Sequence, residues 1–124
     1  MKIKTPSKPN YSLEDYPHAI AKAQTAIANL ELAINQTQDE LKLVELFIDQ
    51  QVAFDKELKN DGQRKAKRKE LLSQDDGYDL LKGKLQTDQL TRERMNIRLS
   101  LLLNQFSVAK IQARQQTAQL AVAA

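Results

Sequence analysis

Cysteine is absent from the 124 residues, which removes disulfide frameworks, thiolate metal sites and cysteine nucleophiles in one step and fits a reducing cytoplasm. Histidine occurs once, as His18, and tryptophan not at all; aromatic residues make up 5% of the chain, too few to build the stacking platforms that many single-strand binders use. The three glycines, Gly62, Gly77 and Gly83, are isolated from one another, so no glycine-rich phosphate loop is present. No apolar run approaches the ~18 residues of a membrane span, and the opening "MKIKTPSKPNYS" lacks the apolar middle of a secretory signal. A soluble, cytoplasmic protein is expected. What the chain does contain is Ala, Leu, Gln, Lys and Glu in quantity, with 41% hydrophobic and 28% charged residues. That composition belongs to an all-α protein, and the length suits a single domain.

The net charge of +3 hides a polar distribution. Residues 1–10 hold three lysines and no acid, residues 11–62 hold four lysines against ten acids, and residues 63–124 hold twelve Lys and Arg against six acids. An acidic first half and a basic second half suit either a polyanion partner or two complementary antiparallel helices.

Residues 1–12, with Pro6, Pro9 and three lysines, are expected to form a disordered N-terminal arm. A helix start follows in "SLEDYPHAI", where Glu14 and Asp15 suit a positive helix end and Pro17 fits within a first turn. A seven-residue repeat then runs through Ile20, Ile27, Ile34, Leu41 and Ile48, with Ala23, Leu30, Thr37 and Val44 three residues after the first four. These are the a and d positions of a coiled-coil seam. No Gly or Pro interrupts the pattern before Gly62, so one helix is expected over about 15–60, roughly 65–70 Å long at 1.5 Å per residue. Such a helix needs a neighbour. In "KNDGQ", Gly62 reads as its C-terminal cap, with Asn60 and Asp61 as turn formers. A short helix over about 63–73 follows, and Ser73, Asp75 or Asp76 can cap the next one.

The last helix, expected over about 76–114, repeats the seam with Tyr78, Leu85, Leu99 and Phe106 at a and Leu81, Met95, Leu102 and Ala109 at d, interrupted by Asp88 and Arg92. A second apolar stripe lies off that seam: Leu90, Ile97, Leu101, Val108 and Ile111. A two-helix hairpin covers one stripe per helix, so the second stripe, with Leu32 and Leu46 on the back of the first helix, asks for another subunit. Residues 117–124 should fray. The fold expected over residues 13–116 is therefore a long antiparallel helical hairpin, coiled-coil-like, with a short basic helix at its tip, oligomerising as a homodimer or tetramer into a helical bundle. Folding back sets the acidic first helix against the last helix, whose stretch after Glu93 has four Lys or Arg and no acid, so part of the charge asymmetry should be internal pairing.

Catalysis has strict requirements that this chain does not meet. His18 lacks a Cys or a suitably spaced Ser partner and reads as a solvated or capping side chain. Glu14, Asp15, Asp39, Glu40, Asp75, Asp76 and Asp79 contain adjacent acids, but neighbours at i and i+1 point to different sides of a helix. No catalytic residue, metal site, cofactor or small-molecule substrate is expected. The strongest remaining feature is "RKAKRK", where Arg64, Lys65, Lys67, Arg68 and Lys69 concentrate positive charge with no acid between Asp61 and Glu70. Phosphate backbones are bound by such non-directional charge, with steep salt dependence; a solvated hairpin tip or a protein contact is the plainer alternative. Only Ala66, Leu71 and Leu72 offer an apolar face for a membrane surface.

"ELKNDGQRKAKRKELL", followed by "YDLLKGKL" and "LLLNQFSVAKIQAR", resembles small helical proteins of phages and other mobile elements, and more loosely the phage recombination mediators that load a recombinase onto single-stranded DNA. The likeness covers about residues 55–114 and rests on charge pattern and helix layout. It implies an oligomeric, basic, helical accessory protein, with Arg64 to Lys69 matching the basic segment. Two functions stand at this stage: a non-enzymatic, self-associating scaffold or adaptor that binds a protein partner, and an accessory of recombination or replication that binds single-stranded DNA.

Overall fold

The structure, a computed structural model, describes residues 11–123. The first ten residues of the expected disordered arm lie outside them. Three helices make up the fold, α1 (Asp15–Ala53), α2 (Asp61–Gln74) and α3 (Asp76–Ala123), with no strand among the described residues. The long α1 packs against the long α3. The chain divides into two units, a terminal one (Met1–Ile27 with Arg94–Ala124) and a central one (Ala28–Glu93).

In the terminal unit, α1 opens on a reciprocal cap. Asp15 accepts from both the backbone N–H and the hydroxyl of Ser12, at 3.0 and 2.8 Å, while its own N–H donates to the Ser12 carbonyl. These bonds tie Ser12, which precedes the helix, to its first turn. Tyr16, Ile20 and Ile27 are buried. Tyr16 stacks on Phe106 of α3, with centroids 5.5 Å apart, and meets Tyr11 edge-on at 5.4 Å. Beyond Phe106, α3 continues as helix to Ala123, past the expected end near residue 114. "TAQLAVA" holds no helix breaker, and the Thr117 hydroxyl bonds back to the Ala113 carbonyl.

In the central unit the a residues Ile34, Leu41 and Ile48 are buried, as is Thr37 at d. Thr37 is only 1% exposed and satisfies its hydroxyl on the Ala33 carbonyl at 3.0 Å, the usual resolution for a threonine inside a helix. Ile34, equally enclosed, contributes on the order of 2 kcal/mol through burial. The α3 positions Tyr78, Leu81 and Leu85 are half-buried.

Two boundaries differ from expectation. Helix α1 ends at Ala53, short of residue 60. The Asp55 N–H donates to the Val52 carbonyl at the tighter i−3 spacing, and the Asp55 carboxylate then takes the Glu57 N–H at 2.9 Å. An aspartate that offers this local bond competes with continued helix. Gly62, in turn, caps nothing: it sits in the first turn of α2, and no described glycine has a positive φ. Asn60 is the N-cap instead, extended at φ −148° and ψ 169°, accepting from the Gln63 N–H at 2.9 Å while the Gln63 side chain reaches back to the Lys59 N–H.

Candidate nucleic-acid interface

The basic segment is placed by the two caps that flank it. "NDG" starts α2 and "DDG" starts α3 on the same plan, since the Asp75 carboxylate accepts from the Tyr78 N–H at 2.8 Å as Asn60 accepts from Gln63. Asp75 also terminates α2, its N–H donating to the Leu72 carbonyl. A Cβ on Gly62 or Gly77 would lie 3.2 or 3.3 Å from the capping oxygen, closer than side chains ordinarily come. Glycine leaves room for the cap. A side-chain cap of this type is worth ~1 kcal/mol.

Two cross-links then fix α2 and the start of α3 against α1. The Tyr78 hydroxyl donates to Glu45 at 2.9 Å, and one turn further along α1 Asp49 accepts from Arg68 Nε at 2.6 Å. The hydrogen bond to Glu45, followed by burial and the Glu45 charge, pushes the Tyr78 phenol above its ordinary value, with Arg68 opposing. Arg68 is raised too, first by its bond to Asp49, with burial opposing. At the other end of α1, the Ser12 side-chain and backbone bonds hold Asp15 below the usual carboxylate value.

These contacts divide the five cations. Arg64 pairs with Asp61 at 2.9 Å, Lys67 with Glu70 at 3.6 Å and Arg68 with Asp49. Lys65 and Lys69 are exposed and form no ion pair among the described residues. Among the described residues, the internal pairing expected between α1 and the later part of α3 is not found. Each of the three described ion pairs involves α2, and Arg94, Arg98, Lys110 and Arg114 are exposed, with Lys110 lying over the Phe106 ring at 4.5 Å from its centroid. On α1, Glu31, Asp39 and Glu40 likewise face solvent.

The off-seam apolar residues of α3 are exposed. Ile97, Leu101, Val108 and Ile111 lie in the terminal unit, Ile97 at 71% exposure, and Leu90 lies in the central unit. On the back of α1, Leu43 and Phe47 join Leu32 and Leu46 as exposed large side chains. The sequence pattern had signalled neither the Arg68–Asp49 nor the Tyr78–Glu45 bond. Its one available sign was the pair of acids four residues apart, each directly following a seam position of α1.

Among the described residues there is no cluster of His, Cys, Asp and Glu able to hold a metal ion, and no helix is long and apolar enough to cross a membrane. No family model, curated protein or solved structure matches the chain.

Proposed function

We propose that the chain is a non-enzymatic, self-associating helical-hairpin protein that acts in the cytoplasm as a scaffold or adaptor by binding another macromolecule. The observation that carries this is the state of α3: none of its residues is buried, yet Leu90, Ile97, Leu101, Val108 and Ile111 stand exposed on it. Aliphatic side chains left in water along one helix mark a surface that association would cover. Pairing through α3 would make a dimer or tetramer with coiled-coil-like packing. Light scattering tests it. The wild type should be oligomeric, and Leu101→Glu with Val108→Glu should give folded monomers; an unchanged oligomer would remove these residues from the interface.

A second function, nucleic-acid binding in phage-type recombination or replication, is favoured by one specific observation. Lys65 and Lys69 are exposed and form no ion pair among the described residues, on a helix whose other cations are tied to acids. The resemblance to phage recombination mediators belongs with this second function, and salt-dependent binding of a single-stranded oligonucleotide is its measure.

A further inference from the structure

Lys65, Arg68, Lys69 and Leu72 follow one another at i, i+3, i+4 and i+7, so they share one face of α2. That face and the opening turns of α3 enclose an open trough of about 530 Å³, lined also by Ser73, Tyr78, Asp79 and Lys82. Lys82 comes from outside the basic run and lies over the Tyr78 ring, 5.4 Å from its centroid. Arg64 and Lys67 do not line the trough and are paired with Asp61 and Glu70. We propose that this trough is a binding site for the phosphates of a nucleic-acid strand, with Lys65, Lys69 and Lys82 as the phosphate ligands.

The proposal rests on the second function above and narrows it to particular side chains. Three lysines converge on one concave surface with Arg68 at its wall, against a single carboxylate, Asp79. Lysine is a mobile point charge that suits phosphate oxygens without demanding one geometry. Lys65 and Lys69 stand one helical turn apart, about 6 Å along the axis, which lets them serve adjacent phosphates of an extended strand. One wall is tied to α1, because Tyr78 and Arg68 are bonded to Glu45 and Asp49. An anionic membrane is a poorer occupant, since Leu71 and Leu72 are already half-buried and α2 has no other large apolar side chain to insert.

The test is anisotropy of labelled single-stranded oligothymidylate titrated with the full chain at several salt concentrations, each variant first checked for helix content by circular dichroism. Lys65→Gln, Lys69→Gln and Lys82→Gln should each make the dependence of log affinity on log salt shallower by about 0.7 and weaken binding roughly fivefold near 0.1 M salt. Arg64→Gln and Lys67→Gln should change binding by less than half as much, and Asp79→Asn should tighten it. Lys82→Gln without effect, or Arg64→Gln and Lys67→Gln as damaging as Lys65→Gln and Lys69→Gln, would overturn the trough while leaving strand binding in place. No binding by the wild type at low salt would remove the nucleic-acid function and the trough together. Lysine-dependent binding to phosphatidylserine vesicles without binding to the oligonucleotide would assign the trough to lipid headgroups and overturn the proposal.

Discussion

In the terminal unit α1 meets α3 through rings, Tyr11 against Tyr16 against Phe106, and no ion pair is formed among its described residues. In the central unit the same two helices, with α2 added, are joined by directed polar bonds, Tyr78 to Glu45 and Arg68 to Asp49. Each unit buries members of the same seven-residue repeat of α1, Ile20 and Ile27 in the terminal one and Ile34, Leu41 and Ile48 in the central one. A repeating apolar seam by itself tolerates sliding by one heptad, because every register offers similar side chains. Directed bonds do not, since a hydroxyl and a carboxylate must meet within hydrogen-bonding distance. The central unit is thus joined by directed bonds and the terminal unit by stacked rings, and the cations of α2 belong to the central one.

The largest expected effect breaks the stacked-ring side of this contrast. Phe106→Ala removes a stacked, half-buried ring and should cost about 2 kcal/mol, read by urea denaturation, with amide exchange accelerating first in the terminal unit. A cost below ~0.5 kcal/mol would mean the stack adds nothing to the seam.

Tyr78→Phe should cost about 1–2 kcal/mol, the worth of a hydrogen bond to a charged acceptor at a half-buried site. It also carries a pH signature. Below the ordinary tyrosine value the phenol is neutral in both folded and unfolded chains, and its bond contributes fully. As pH rises, the unfolded chain ionises first, because the folded phenol is held higher, so this stability is lost until the folded group also gives up its proton. Denaturation midpoints followed into alkali should therefore fall more in the wild type than in Tyr78→Phe. Equal falls would detach Tyr78 from the register.

Asp49→Ala should have the smallest effect, about 0.5 kcal/mol and fading with added salt, because both partners of the Arg68 pair are roughly half exposed. Combining it with Tyr78→Phe in a double-mutant cycle separates two independent bonds from one cooperative clamp.

The helical class and the seam were legible because apolar periodicity states them directly: Ile20, Ile27, Ile34, Leu41 and Ile48 recur every seven residues, and all five are buried. Oligomerisation and the function of the basic run are of a different kind, since they concern partners that periodicity does not describe. The end of α1 was not legible because "FDKELK" contains good helix formers, and the competition by Asp55 depends on a side-chain rotamer. Gly62 misled for a related reason. Glycine is common just past a helix end, but here it follows an N-cap, where its lack of a Cβ serves Asn60. Lys82 carries no signal in the sequence because the trough it lines is made by the turn at Asp75, which brings together residues that are apart along the chain.

That turn has one further consequence. Because Asp75 alone separates α2 from α3, the direction of α2 relative to the first turns of α3 hangs on essentially one pair of backbone torsions, φ −84° and ψ 103°. One residue added within α2 between Lys69 and Leu72 would rotate everything before it by about 100° around the helix, carrying Lys65 and Lys69 away from Lys82 while leaving the cation count and net charge unchanged. Insertion length, as well as charge, is therefore a kind of variation this segment should resist, whereas the exposed run after Ala113 sits under no such constraint.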